Sequence, residues 1–385
     1  MKSINDIKIK LPIFCSLRSF PIFVLTIFIN FFLAAKTSFS PVYFAFLFSC
    51  FFLLVIFSFS PNICVFKDYS KDKTVYIFFS LFCIHFLINS AINQVSIKTI
   101  FSVFFSFLCF FIGALISSVQ KKNLNKILIF LRFVTTLILL CEFIYRFSNS
   151  TPKHSYFYIY DYKFNSFMFP DTNAVGVCIE FYICFLLYIK ENKIQKISII
   201  EILILVLLLI LTFSRAALFG VAILILYYYI FRRFSLIVKF FSIVIVLFFA
   251  IYVYQMLLKD GSFVTKIDLF IQTMEYTKEI DFFHFFLGNG IDSSVNFLTR
   301  YGHNYLTLFL IELGLNGLIL YFSFFAFLVY KTRSALFVVL PYLVTGLSYM
   351  PFVIPFFYLY LSFIYNFEIK KRYLEKHKMK EKSYE

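Results

Sequence analysis

Residues 202–231, ILILVLLLILTFSRAALFGVAILILYYYIF, decide the class of fold. Two apolar runs, residues 202–213 and 217–231, flank the short polar step Ser214–Arg215. Each run is apolar on every side of a helical wheel, whereas a helix on a soluble core keeps a polar face. Both runs require lipid or other helices all round, which predicts two membrane-spanning helices joined by a short turn.

The whole chain has the composition of a helical membrane protein. Of its 385 residues, 61% are hydrophobic and only 15% are charged, and such a balance is typical of polytopic membrane proteins. Because a span takes roughly 17–25 residues, the sequence predicts an all-α, polytopic membrane domain, residues 1–385, with about twelve spans. These spans are expected near residues 19–35, 41–60, 74–92, 97–118, 126–147, 170–189, 197–213, 216–231, 236–257, 303–330, 334–349 and 351–367.

Basic residues orient these spans, because short cytoplasmic connections collect lysine and arginine. Every second connection is basic, and so are the N-terminus and the tail, residues 368–385. We therefore expect both termini to be cytoplasmic. The net charge of +16 then faces anionic lipid, which argues against a nucleic-acid partner. The basic connections carry Lys67, Lys71 and Lys73; Lys121, Lys122 and Lys126; Lys190, Lys193 and Lys196; Arg232 and Arg233; and Lys331 and Arg333.

Two outward connections are long enough to carry a function. One is residues 148–169 and the other is a large outer loop, residues 258–302, between the ninth and tenth spans. Within the large loop, Ile267, Phe270, Ile271 and Met274 follow the helical spacing i, i+3, i+4, i+7. This spacing predicts an amphipathic helix that lies on the membrane surface over the outer mouth of the bundle.

Arg215 lies at the outer membrane interface, in the turn between the seventh and eighth spans. An arginine at such a boundary is often an anchor that reaches toward the headgroups. The positive-inside bias disfavours an arginine on this side, however, and no lysine cluster accompanies it. A forked guanidinium suits a phosphate, so we interpret Arg215 as a ligand for an anionic substrate.

Four motifs resemble those of the O-antigen polymerase and ligase superfamily, the Wzy and WaaL types. They are FPDTNAVG at the sixth span, SRAALFG opening the eighth, LGNGI in the large loop and HNYLTLFLIELGLNG opening the tenth. The last of these is the most specific. Together the motifs cover roughly residues 165–330, and the N-terminal half adds only a matching hydropathy.

The resemblance implies glycan transfer at the outer face of a bacterial inner membrane. Such proteins take a saccharide from undecaprenyl pyrophosphate and join it to an acceptor sugar, without a metal or cofactor. A flippase and a chain-length regulator are the expected protein partners. Cations would neutralise the pyrophosphate and a base would accept the proton of the acceptor hydroxyl. Arg215 is the candidate cation, and His303 is the candidate catalytic base because imidazole accepts a proton near neutral pH. An orienting role for His303 stays open.

The second cation of the family's pattern is not settled by the sequence. Superfamily members usually have an arginine before the glycine turn, where this chain has Lys266, and Arg300 is the competing candidate. Asn304, Glu312 and Asn173 complete the expected substrate-binding set. For Glu312 an equally good interpretation is a structural hydrogen bond to a neighbouring helix.

Other polar residues in or beside the spans have a structural explanation available. Glu142 and Arg146 are spaced i, i+4 and are expected to pair. Asp171 is expected to cap the sixth span or to contact substrate. Glu180 and His85 lie within spans and belong to no motif.

Two other functions remain open. An O-antigen ligase would share the histidine and arginine positions but use the lipid A core as its acceptor. A flippase for the lipid-linked oligosaccharide belongs to a different class and should show discontinuous helices and polar sites near the membrane midplane of both halves. The polar residues here concentrate on the outer side of the C-terminal half, which favours the polymerase.

Overall fold

The computed structural model of the protein describes most of the chain between residues 74 and 382. The predicted spans at residues 19–35, 41–60 and 236–257 lie outside the described residues, and so does His303. The residues described are 74–119, 121–150, 162–163, 165–169, 171–231, 235, 261–300, 302, 304–349 and 354–382.

Helices and their connections make up this described part of the chain, which contains no β-strand. Two π-helical segments, Leu226–Phe231 and Leu308–Leu313, extend α6 and precede α9. The α-helices are α1 (Thr74–Ile92), α2 (Ile97–Ser118), α3 (Lys121–Ser148), α4 (Thr172–Glu191), α5 (Ile199–Ile210), α6 (Arg215–Ile225), α7 (Gly261–Glu279), α8 (Phe282–Leu287), α9 (Gly314–Lys331), α10 (Leu336–Gly346) and α11 (Pro355–Lys382).

Five described helical segments are long and apolar enough to cross a membrane. α5, α6 and α10 are apolar but shorter. The predicted spans at residues 74–92 and 97–118 coincide with α1 and α2, while the count of about twelve spans stays a prediction. The five segments are Thr74–Ile92, Ile97–Ser118, Asn123–Ser148, Thr172–Glu191 and Leu308–Lys331.

The surface of α1 indicates what surrounds the bundle. Ile77, Leu81, Ile84 and Ile88 form one stripe along this helix, and each exposes 44–52% of its surface. A continuous apolar stripe on a single protein chain marks contact with a membrane or a partner. With five helices of spanning length, this surface indicates a membrane protein.

The helices pack in an order that places α4 at the centre. α4 is buried along almost its whole length, and both α10 and α11 pack against it. α11 also packs along α2, where a Cβ added to Gly113 would lie 2.2 Å from Leu359 O. A small residue thus lets two backbones approach closely, as is common between membrane helices.

Candidate functional site

The large loop marks one end of the helix bundle. We call this the loop end, because it carries α7, α8 and the segment that follows them. Here Thr99 at the start of α2 donates a hydrogen bond to Asp292 of the loop (2.9 Å), and Thr172 donates to Thr212 O (3.0 Å). The predicted outward helix ends thus meet one another.

The opposite end, which we call the tail end, carries α11's basic extension. The Lys370 ammonium lies 3.3 Å from each of three carbonyl oxygens at the end of α2, those of Ser117, Ser118 and Val119. Arg372 donates to Lys331 O at 2.7 Å. These contacts join helix ends that the basic residues assign to one side of the membrane.

Arg215 opens α6 at the loop end, with an exposed side chain. The turn before it, Leu211–Ser214, reverses direction through Phe213, whose φ is +56°. Thr212 holds this turn, because its hydroxyl donates to Leu209 O (2.7 Å) and accepts from Ser214 N (3.3 Å). The turn fixes where the Arg215 side chain leaves the helix bundle.

Buried Arg146 supports the same turn from α3. Its guanidinium donates to the Glu142 carboxylate (3.0 Å) and to Leu211 O (2.9 Å). The predicted i, i+4 pair is confirmed. Arg146 also binds the turn backbone, so this ion pair has a structural role next to Arg215.

Asp171 and Asn173 lie where α4 begins. Asp171 is the N-cap, and its carboxylate accepts from Asn173 N (2.9 Å) and from the Asn173 side-chain amide (2.7 Å). The capping interpretation of Asp171 is confirmed, and the Asn173 side-chain amide donates to this capping carboxylate. One turn further, Gly176 packs on the α5–α6 turn so closely that a Cβ would lie 2.5 Å from Ser214 Cβ. The FPDTNAVG and SRAALFG motifs are therefore in contact.

Asn304 opens the helical turn Tyr305–Thr307 that follows His303. Its buried side-chain oxygen accepts from Thr307 N (3.0 Å) and from the Thr307 hydroxyl (3.1 Å), which is an N-cap arrangement. The Tyr305 hydroxyl donates to Tyr342 O in α10 at 2.6 Å. The position of the chain just after His303 is therefore fixed by α10.

The end of α10, Thr345–Ser348, brings the predicted residues together; we call it the α10 turn. The Thr345 hydroxyl lies 3.3 Å from Ala216 O, one residue beyond Arg215. The Tyr305 ring occupies the space that a side chain on Gly346 would need. The Lys266 ammonium donates to the Ser348 hydroxyl at 2.5 Å. Three elements that carry predicted site residues thus contact Thr345, Gly346 and Ser348.

Few features of the sequence indicate the α10 turn. Thr345, Gly346 and Ser348 form a short step between two apolar spans, and such a step reads as an ordinary connection. The only available signal was small and hydroxyl-bearing residues at an outward helix end. Arg300 is exposed in the segment before His303.

A break in the helix follows Tyr305–Thr307. The π-helical segment Leu308–Leu313 ends at Gly314, whose φ is +68°. The apolar segment Leu308–Lys331 and the predicted span at residues 303–330 therefore both contain this break. Backbone carbonyls of a broken helix need other donors. Asn289 N donates to Ile311 O (2.8 Å) and Gly290 N donates to Glu312 O (3.0 Å).

Polar residues of α1 supply further donors to this region. His85 and Asn89 of α1, and Asn93 directly after its end, are spaced four residues apart, so they lie on the same side. Because a carbonyl only accepts, the His85 contact identifies Nε2 as the protonated ring nitrogen. The contacts are His85 Nε2 to Leu313 O (2.8 Å), Asn89 Nδ2 to Leu287 O (2.6 Å) and Glu312 O (3.0 Å), and Asn93 Nδ2 to Gly288 O (3.1 Å).

Glu312 lies inside this break and is fully buried. Its Oε1 accepts from Ser294 N of the loop at 3.3 Å, while Oε2 has no hydrogen-bond partner among the described residues. The contact with Ser294 favours the structural interpretation, in which Glu312 holds the loop on the bundle. Substrate contact by Glu312 stays a prediction.

The predicted amphipathic helix is present as α7. It packs on the bundle through Leu269, which contacts Leu298 and Ile311, and through Thr273, whose hydroxyl lies 3.3 Å from the Thr307 hydroxyl. The hydrogen bond from Lys266 to Ser348 is a further contact of α7. The predicted apolar stripe stays outside this contact, because Phe270, Ile271 and Met274 are each more than 40% exposed. An exposed stripe on this helix is consistent with a membrane-facing surface.

Asp281 and His284 form an acid–histidine pair at the start of α8. Asp281 caps the helix, and its Oδ2 lies 2.5 Å from His284 Nδ1. The hydrogen bond to the His284 side chain, together with that from its backbone N–H, holds the pKa of the Asp281 carboxyl below its usual value. The i, i+3 spacing and the exposure of both side chains are those of a local helix cap.

The described residues therefore define a helical membrane protein whose predicted substrate-binding residues gather at one end of the bundle. Within the described ranges, no three His, Cys, Asp or Glu side chains are arranged to hold a metal ion. No protein-family model matches the chain, and the comparison with curated proteins gives no significant match.

Proposed function

We propose that this chain is a membrane glycosyltransferase that polymerises lipid-linked oligosaccharide repeat units of a surface polysaccharide. The observation that carries the proposal is the contact of three elements with the α10 turn, at the loop end. These elements bear Arg215, Lys266 and Asn304, and two of the three residues are cationic. The motif resemblance supplies the reaction class.

The proposed chemistry requires little from the protein beyond position and charge. The donor already carries a good leaving group, undecaprenyl pyrophosphate, so Arg215 and a second cation would bind and neutralise the departing phosphates. His303 would accept the proton of the acceptor hydroxyl, or orient that hydroxyl. Asn304 caps the turn directly after His303 and would fix its approach.

The proposed location follows from the same end of the bundle. The loop end would face outward from a bacterial inner membrane, with both termini in the cytoplasm. Lipid-linked repeat units delivered by a flippase would reach the loop end from the outer leaflet. A chain-length regulator would be a further partner in the membrane.

Lys266 is a better candidate for the second cation than Arg300, because it contacts the α10 turn. We expect Lys266→Ala to raise the donor KM about tenfold or more, the loss typical of one charge-assisted hydrogen bond. Arg300→Ala should change the donor KM by less than about threefold, within the range of an exposed charge. Both KM values are to be measured on the reconstituted protein with a lipid-linked repeat unit as the donor. The reverse order would make Arg300 the second cation.

Deletion of the gene, followed by analysis of the surface glycan, tests the proposed function. Loss of a polymerase leaves lipid A core that carries a single repeat unit. Loss of a ligase leaves unmodified core while lipid-linked polymer accumulates. An unchanged glycan would exclude both functions.

A flippase is the second candidate, because two features of the structure favour it. The helix break at Leu308–Leu313 and the buried Glu180 are features that transporters use at their binding sites. The carbonyl oxygens that the break leaves without helical partners accept hydrogen bonds from the loop and from α1, however. Deletion of a flippase would leave repeat units on the cytoplasmic leaflet, where an outward-added glycosidase cannot reach them.

A further inference from the structure

Glu180 is a buried carboxyl that no part of the proposed reaction uses. It lies in the middle of α4 and is 0% exposed. Within the described part of the chain, its hydrogen-bond partner is the Thr345 hydroxyl, 2.7 Å from Oε1 and 2.9 Å from Oε2. The ion pairs of the described residues do not include it. An acidic group in an apolar bundle needs a functional explanation.

The neighbouring helix is shaped to admit this carboxyl. At Gly220 of α6, an added Cβ would lie 1.8 Å from Glu180 Oε1 and 2.6 Å from Thr345 Oγ1. Any larger residue would displace the Glu180–Thr345 contact. Glycine at this position therefore makes room for a polar pair between α4, α6 and α10.

Thr345 and the next residue connect the pair to two elements of the proposed site, the first turn of α6 and the segment after His303. Its hydroxyl carries one proton and lies within 3.3 Å of Ala216 O in the first turn of α6, as well as of the Glu180 carboxyl. The next residue, Gly346, lies against the Tyr305 ring, with its Cβ position 2.2 Å from Tyr305 Cζ. The backbone at Thr345–Gly346 is therefore shared, because the Thr345 side chain contacts α4 and α6 while Gly346 contacts the segment after His303.

We infer that Glu180 is a positioning residue of the proposed transfer site. By accepting from Thr345, it sets the distance between the first turn of α6, which begins with Arg215, and the turn that follows His303. This inference rests on the proposed function. It adds that the first turn of α6 and the turn after His303 are held in register by a buried hydrogen bond between α4 and α10.

Variants that keep or remove the hydrogen bond test this role. Glu180→Gln keeps an oxygen acceptor and Thr345→Ser keeps the hydroxyl, so kcat of each should stay within about threefold of the native protein. Glu180→Leu and Thr345→Val remove it, and each should lower kcat about 10- to 100-fold, the effect of a misplaced reacting group. The donor KM should change by less than about threefold, since no phosphate contact is lost.

Coupling between the two residues is a further expectation. The double variant Glu180→Leu/Thr345→Val should lose no more kcat than either single variant, because both changes remove one interaction. Additive losses would contradict the inference. Thr345→Val has nearly the native shape, so it keeps the test valid if Glu180→Leu fails to fold.

The tail end offers a matched control. Glu368 is also a buried carboxyl that accepts from a hydroxyl, that of Tyr188 at 3.0 Å. Glu368→Leu should lower the thermal midpoint to a similar extent as Glu180→Leu but leave kcat within about threefold. Equal losses of kcat in both variants would assign Glu180 a merely structural role and overturn the inference. An inactive native protein would instead reject the proposed function itself.

Discussion

Replacing Arg215 by alanine is expected to abolish polymer while the amount of protein in the membrane stays unchanged. The side chain is exposed at the loop end, so its removal leaves no buried cavity. If it binds the leaving pyrophosphate, the rate should fall about 10²- to 10³-fold, as for other preorganised electrostatic groups. The measurement is glycan length in a deletion strain that expresses the variant.

Arg215→Lys separates charge from geometry. Lysine keeps the positive charge but cannot bind two phosphate oxygens with a fixed fork. We expect an activity roughly tenfold below the native protein and well above that of Arg215→Ala. Equal activity of the lysine and arginine proteins would show that charge alone suffices.

His303→Ala should have an effect as large, about 10²- to 10⁴-fold for loss of a general base. Arg333→Ala is the matched control for both variants, because Arg333 is an exposed arginine in the connection before α10, at the tail end. Normal chain length in Arg215→Ala or His303→Ala would remove that residue from the mechanism. Short chains in Arg333→Ala would point to a general effect of removing charge.

Hydropathy alone was sufficient to find the helices with apolar residues on every side. α1 and α2 begin and end where the sequence predicts, since their apolar runs stop at the polar step Asn93–Ser96 and at the basic residues after Ser118. The existence of α7 was equally accessible from its i, i+3, i+4, i+7 spacing. Its buried face was not, because contact with Ile311 and Thr307 depends on the tertiary fold.

The helix break could not be predicted from local pattern. LFLIELG, residues 308–314, is as apolar as the helices on either side. The break is stabilised by donors from distant parts of the chain, the backbone of Asn289 and Gly290 and the side chains of His85 and Asn89. A buried carbonyl needs a donor, whichever segment supplies it. The polar residues of α1 were visible in the sequence, but their partners were not.

The sequence predicted Arg215, Lys266 and Asn304 of the candidate site, but not the α10 turn that their elements contact. Arg215 attracted attention because a cation is unexpected on that side of the membrane. Lys266 was identified because it occupies the position of an arginine in the superfamily that the motifs resemble. Thr345 and Ser348 are uncharged and common in membrane helices, so nothing in the sequence distinguishes them. Their importance comes from where α10 ends, which is a property of packing between α4, α6 and α10.

Gly288→Ala is expected to release the large loop from the bundle and abolish polymer. Gly288 has φ +86°, and an added Cβ would lie 2.3 Å from Glu312 O and 2.6 Å from Gly314 N. The backbone conformation alone, with ψ of 170° at this positive φ, disfavours alanine by about 1–3 kcal/mol. The overlap is with backbone atoms, which cannot rotate away, so the hydrogen bonds from Asn289 N and Gly290 N should also be lost.

Release of the loop would remove both candidates for the second cation, because α7 carries Lys266 and the same loop carries Arg300. We therefore expect faster cleavage of the loop by an added protease, together with loss of polymer. Asn296→Ala, at an exposed position of the same loop, is the control and should change neither. Asn89→Leu removes only the α1 donor to Leu287 O and Glu312 O, so it should give an intermediate effect. If Gly288→Ala polymerises normally despite rapid cleavage of the loop, then catalysis does not depend on the loop, and Arg215 and His303 must act without a cation from it.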